Sequence, residues 1–192
     1  MDGYPNKKSK IWKKQAYSET RYAVIKWLER ELPNITGDVL NVASGMWPVP
    51  KQLLTNPKLG KYTTYDKKKY GSSKNTVDVY GSAEDMPVEW TNKWDCVLCN
   101  QAIECFENPF KAMEEMYRVL KPGGVLLIDA PFNYREFCVG SWKDPKQGAP
   151  DYWRITSDGW KILTKQFSTV KIEGFGGTGP HDRYVYCVRA VK

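Results

Sequence analysis

The spacing of apolar positions changes several times along the chain, and each change marks an element. In Ser18–Leu32 the apolar residues Val24, Ile25, Leu28 and Leu32 fall at helical spacing, with Ser18 as N-cap and Pro33 and Gly37 as the stop. DVLNVA (38–43) reads as a short strand between Gly37 and Gly45, and VPKQLLTN (49–56) as a helix. KYTTYD (61–66), TVDVYG (76–81) and WDCVLC (94–99) read as three further strands. NPFKAMEEMYRVL (108–120) is an amphipathic helix whose inner face is expected to carry Phe110, Met113, Met116, Tyr117 and Leu120. KPGG (121–124) is expected to stop it through a glycine C-cap and a proline. GVLLIDAPF (124–132) is a fifth strand, apolar on both faces. DGWKILTKQF (158–167) reads as a helix, and STVKIEGF (168–175) and RYVYCVRAV (183–191) as strands. The turn-rich GGTGPHD joins these two, so the last strand is expected to return antiparallel to its neighbour.

Strands that are apolar on both faces and alternate with helices predict a covered parallel sheet. The expected fold is α/β: a doubly wound, Rossmann-like sheet, mostly parallel, with an antiparallel C-terminal edge strand. Such sheets bind ligands at the carboxyl ends of their strands, at the switch point. The loops 43–48, 66–70, 81–86, 100–107 and 131–155 are therefore where a site is expected. A chain of 192 residues is long enough for one such domain, expected over residues 16–192 behind an arm at 1–15.

Composition narrows the class. Apolar residues make up 41% of the chain, too many for an intrinsically disordered protein. No 18-residue apolar span exists and the N-terminus has no apolar h-region, so neither a membrane-spanning helix nor a secretory signal is expected. The net charge of +7 is unevenly placed. Lys7, Lys8, Lys10, Lys13 and Lys14 lie in the arm and Lys67, Lys68 and Lys69 in one loop; without them the chain is close to neutral. The charge is read as a solvated tail and turn, or as a contact for an anionic partner. The five cysteines are odd in number, and Cys96, Cys99 and Cys105 crowd one segment, which is no disulfide framework. Cys96 and Cys99 lie three apart on a strand and face opposite sides, so they are expected to be buried thiols with no metal between them. A reducing, cytoplasmic compartment is the corresponding expectation.

Candidate chemistry sits at the strand ends. ASGMWP (43–48) is a small-residue turn through which backbone N–H groups can approach a ligand. Asp66 ends the second strand about twenty residues later, where an acid can accept both hydroxyls of a ribose. Tyr152, Trp153 and Arg154 place an arginine beside two aromatics, either to clamp an anion or to pair with a buried acid. His181 is the sole histidine. Phe137 and Trp142 fall in the long loop 131–155 and are read as lid residues.

In order, DVLNVASGMWP, YTTYD, VDVYGSAEDMP, the block from Trp94 to Phe132 and DYWRITSDGWKIL (151–163) resemble the class I S-adenosylmethionine-dependent methyltransferases over about residues 37–192. More narrowly, the DYWR segment resembles a small methyltransferase type 11-like group often associated with cell-surface polysaccharide genes. The resemblance implies S-adenosylmethionine as cofactor. It implies that Asn41, Ala43, Ser44 and Gly45 lie at its methionine end, Asp66 at the ribose, Ser82 and Ala83 at the adenine, and Asn100 and Gln101 beside the methyl donor. Tyr152, Arg154 and His181 would surround a small-molecule or glycan-like acceptor, with nucleic acid the less favoured acceptor. Several positions depart from the pattern. Asn41 replaces an acid, Ala43 a glycine, Ser82 an acid and Cys105 a histidine. The alternative is therefore a catalytically silent module of the same fold that binds an anionic partner or nucleic acid through its basic arm.

Overall fold

The computed structural model describes residues 19–45, 49–67, 77–134, 150–179 and 182–192. Outside them fall the basic arm, Ser18, Met46, Trp47, Pro48, Lys68, Lys69, Phe137, Cys138, Trp142 and His181, and with them the expectations placed on those residues.

Seven strands form one sheet in the order β3-β2-β1-β4-β5-β7-β6. They are β1 (Gly37–Val42), β2 (Leu59–Asp66), β3 (Val79–Tyr80), β4 (Trp94–Asn100), β5 (Leu120–Pro131), β6 (Thr169–Phe175) and β7 (Val185–Val191). The first five run parallel. β7 inserts antiparallel between β5 and β6. The expected α/β architecture is thus the one observed. Among the described residues three α-helices cover the sheet: α1 (Glu19–Glu31), α2 (Pro109–Val119) and α3 (Ser157–Leu163).

Alternation along each strand divides the core into two layers. Leu40, Val42, Val97, Cys99, Leu126 and Ile128 face α2 and α3, where Met113, Met116 and Trp160 meet them. Val39, Cys96, Leu98 and Leu127 face the other way, against Val24, Trp27, Leu28 and Leu32 of the N-terminal helical segment. Cys96 and Cys99 therefore lie in opposite layers, both buried as free thiols. Burial pushes both thiols well above the ordinary range, so neither is a ready thiolate. No metal-binding group of three or more His, Cys, Asp or Glu occurs among the described residues. No described helix is long and apolar enough to cross a membrane.

Four local expectations are corrected. Residues 49–56 form only a 3-10 turn at Lys51–Leu53, because Pro50 and Pro57 bracket the segment too closely for an α-helix. Phe110 is exposed, 53% accessible, rather than inward. The buried residues of α2 include Pro109, Ala112, Met113, Met116 and Val119, and at about 100° per residue Phe110 points well away from that stripe. No glycine caps α2: Leu120 is already extended, and the chain passes directly into β5. Gly123, at φ +78°, instead turns the chain so that its N–H reaches the Lys192 carbonyl at 3.0 Å. The helix read over 158–167 stops at Leu163, where the Thr164 hydroxyl turns back to the Trp160 carbonyl at 2.7 Å.

Leu98 sits at the centre of the sheet with no exposed surface. Leu98→Ala is expected to lower the unfolding free energy by about 2–5 kcal/mol, through lost transfer energy and a cavity that rigid neighbours cannot fill. Urea denaturation reads this directly, and a loss under about 1 kcal/mol would show the β1–β4–β5 core to be far looser than described.

Candidate active site

The parallel strands β1, β2, β4 and β5 deliver their carboxyl ends to one rim. There the chain leaves β1 through Ala43, Ser44 and Gly45. Ala43 holds φ +50° and Gly45 φ +60°. Glycine takes this conformation freely, whereas for Ala43 it costs about 1 kcal/mol or more. Two hydrogen bonds tie the turn to the end of β2. Ser44 N–H donates to the Tyr65 carbonyl at 3.2 Å, and Gly45 N–H donates to Asp66 Oδ2 at 2.7 Å. Asp66 is thereby fixed at the rim and almost fully buried.

Gly81 continues the rim. Its N–H donates to the Asp66 carbonyl at 2.9 Å. A Cβ at Gly81 would lie 2.1 Å from the Tyr65 hydroxyl, so no side chain fits there. That hydroxyl donates to the Ser82 carbonyl at 3.0 Å and holds the 81–83 turn in place. Ala43, Gly45, Asp66, Ser82, Ala83, Gln101, Cys105 and Phe106 then line an open pocket. An acid at the end of β2, small residues on the β1 turn and an apolar wall of Ala83, Ala102 and Phe106 fit S-adenosylmethionine in parts. The Ser44 hydroxyl in the first turn is buried without a hydrogen-bond partner among the described residues.

Three of the expected cofactor residues, Asn41, Ser44 and Asn100, do not line this pocket. Asn41 is buried and its amide donates to the Tyr62 hydroxyl at 2.7 Å, on the α1 face of the sheet rather than in the pocket. Asn100 stands behind the rim, its amide donating to Asp129 Oδ2 at 2.6 Å. The DYWR segment docks through its backbone: Tyr152 and Trp153 N–H groups donate to the Glu104 carbonyl at 2.8 and 3.1 Å. Trp153 Nε1 donates to the Phe106 carbonyl at 2.7 Å. Of the two readings for Arg154, the structure shows pairing with an acid. Its guanidinium grips the fully buried Asp151 carboxylate in a bidentate pair at 2.5 and 2.7 Å. Tyr152 is half exposed beside it.

Two acids escaped the sequence reading. Asp129 ends β5 with no exposed surface, and burial pushes its pKa up to about 6 against the pull of Asn100 and Gln101. Glu104 is also fully buried, and neither carboxylate oxygen has a hydrogen-bond partner. Burial, helped by Asp129 and Asp151, pushes its pKa up to about 8 despite its own amide and Arg154. A lone acid inside an apolar run, as in LLIDAP and AIECF, was the available signal for both.

Comparisons with known proteins agree with this geometry. A family model described as a methyltransferase domain matches residues 54–128. The described fold matches a methyltransferase of Thermotoga maritima that uses S-adenosylmethionine, with TM-score 0.59 and 17% identity over 89% of this chain and 92% of that one. It also matches an S-adenosylmethionine-dependent methyltransferase of Archaeoglobus fulgidus, with TM-score 0.62 and 15% identity over 90% and 94%. An uncharacterized protein of Methanocaldococcus jannaschii is 31% identical over 104 residues, 54% of this chain and 48% of that protein. The chain thus spans about half the length of that curated relative. Residues 54–128 thus match a methyltransferase domain, and the fold is shared with solved structures described as S-adenosylmethionine-dependent methyltransferases.

Glu104 gives a test of the site's electrostatics. Its native pKa of about 8 lies above the usual 4.5, so the fold holds a proton that the unfolded chain releases between those values. Stability therefore falls as pH rises through that window. Glu104→Gln keeps the neutral shape and removes the titration. It is expected to be the more stable form at pH 8 by more than about 1 kcal/mol, with little difference at pH 4.5. Denaturation curves at both values check this, and a gap that does not widen with pH would place the charged carboxylate in the fold.

Proposed function

We propose that the protein transfers a methyl group from S-adenosylmethionine to a small-molecule or glycan-like acceptor. The observation that carries this is Asp66 held at the rim by Gly45 N–H, beside a pocket lined by the 43–45, 81–83 and 101–106 segments. Bound S-adenosylmethionine supplies an electrophilic methyl carbon, so the chain's task is orientation more than activation. Asp66 takes the ribose hydroxyls, the Ala43–Gly45 turn takes the methionine end, and Ser82 and Ala83 take the adenine. Gln101, with Asn100 behind it, stands beside the methyl donor. The acceptor lies toward Tyr152 and the DYWR segment, with Arg154 holding that segment through Asp151. His181 belongs to the same reading but lies outside the described residues.

A catalytically silent module is the second reading, favoured by Asn41 turned onto Tyr62 and by Ala43 strained where glycine is usual. Calorimetric titration with S-adenosylhomocysteine separates the two. The wild type is expected to bind in the micromolar range, and Asp66→Ala to bind at least about tenfold more weakly, a difference of about 1.4 kcal/mol. Equal binding by both would move the ribose away from Asp66. No wild-type binding at millimolar ligand would favour the silent module.

A further inference from the structure

Asp129 is a lone acid in an apolar strand, wholly buried, and it accepts from three donors at the rim. Its Oδ2 accepts from Asn100 Nδ2 at 2.6 Å. Its Oδ1 accepts from Gln101 Nε2 at 2.6 Å and from Gln101 N–H at 3.3 Å. These bonds decide which way both amides face. An ionised carboxylate only accepts, so each amide must turn its NH₂ toward Asp129 and its carbonyl oxygen away. Asn100 Oδ1 is consequently buried with no hydrogen-bond partner. Gln101 is held in the left-handed region at φ +51° and lines the pocket. The strained backbone of Gln101 is unfavourable for the free protein, and such strain persists where a ligand uses the residue.

We infer that Asp129 is a positioning residue for the methyl donor: by holding the Gln101 amide with its NH₂ inward, and so its carbonyl oxygen toward the pocket, it gives the pocket an acceptor edge that favours cationic S-adenosylmethionine over neutral-sulfur S-adenosylhomocysteine. The inference rests on the cofactor reading above. Amide oxygens carry partial negative charge, and polarised C–H groups beside a sulfonium are weak donors to them. Methyl transfer removes that positive charge, so the same edge holds the product less firmly. Without Asp129 the amides are free to rotate, and the edge presents donors and acceptors alike.

The test titrates S-adenosylmethionine and S-adenosylhomocysteine in parallel into the wild type, Asp129→Asn and Gln101→Met, from pH 5 to 8. An asparagine at this position must point its own NH₂ at one of the two amides, so one of them turns. The expected result for Asp129→Asn is an affinity for S-adenosylmethionine about tenfold lower, with S-adenosylhomocysteine changed about twofold, because the lost interaction is charge-assisted. A merely structural role would weaken both ligands alike. In the wild type the preference for S-adenosylmethionine should shrink as pH falls through about 6, where Asp129 takes a proton and can no longer accept from both amides. The groups facing Asp129 are Arg21 from α1, Glu104 from the 103–105 turn, Cys99 from β4 and Cys187 from β7. Glu104 releases its proton near 8, above that window, and the thiols higher still. Asp129→Asn should lack the step near 6.

Equal losses for both ligands, or an unchanged ratio with an unchanged pH profile, would overturn the inference and leave the cofactor site standing. Failure of the wild type to bind either ligand would overturn the cofactor reading and this inference with it. If circular dichroism shows Asp129→Asn unfolded, Gln101→Met decides. It keeps the buried acid and removes one amide, and an unchanged ligand ratio there overturns the inference.

Discussion

Asn41 of β1 stands opposite Thr64 of β2 on one side and Leu98 of β4 on the other. On that double pairing everything at the rim depends. The chain winds outward from β1 through β2 to β3, then crosses back to start β4 against β1's free edge. Crossovers leaving in opposite directions part at that point, and a crevice opens above it. The 43–45 turn, Asp66, the 81–83 turn and Gln101 reach one pocket because their strands end together. A one-residue slip of β1 would exchange Leu40 and Val42 for Val39 and Asn41 in the α2 layer and withdraw Gly45 from Asp66. Burial on both faces forbids the slip, so the apolar core sets the alignment of the polar site.

The polar groups within this apolar frame are neutralised in different ways. Asp151 has the bidentate Arg154, which leaves the pair desolvated but matched. Asn41 has the Tyr62 hydroxyl, and burial in turn pushes the pKa of that phenol well above its usual range. Asp129 has two amides and stays close to its ionisation threshold near neutral pH. The Glu104 carboxyl has no hydrogen-bond partner among the described residues and persists as the neutral acid. Asp66, Gln101 and the segment holding Glu104 gather at the end where ligands enter. The opposite end has ordinary pairs such as Lys121 with Asp95.

Much of this was legible in the residues. VLNVA, WDCVLC and GVLLIDAPF are apolar on both faces, and no arrangement but a covered parallel sheet buries such runs. Asp66 was readable because an acid closes an apolar-alternating strand at the distance from the first turn that a nucleoside requires. The misreadings have a common cause: local pattern was trusted where a neighbour decides. Leu53 and Leu54 look helical, but prolines on both sides leave room for only one tight turn. Phe110 shares rough spacing with Met113 and lies off the stripe. KPGG looks like a helix stop, yet its glycine serves an edge closed by Lys192. The role of Asp129 depends on partners many residues away, Asn100 and Gln101, which no local pattern contains.

Asn41 and Asp129 are linked by the pleat. Val39, Leu98 and Leu127 mark one face of the sheet, and by alternation Asn41, Asn100 and Asp129 share it. The resembling family carries a carboxylate at the position of Asn41. In this chain the fully buried carboxylate on that face sits two strands over, on β5, behind a layer of amides. A charge in direct contact with a ligand is strong but indifferent to the ligand's fine geometry. The same charge acting through two oriented amides gives a weaker field and a sharper direction, since each amide dipole is fixed by its own hydrogen bond. Asn41, with its amide committed to Tyr62, is then no missing part. A second carboxylate on that face would sit near Asp129 in low dielectric and raise its pKa further, releasing the amides it now orients.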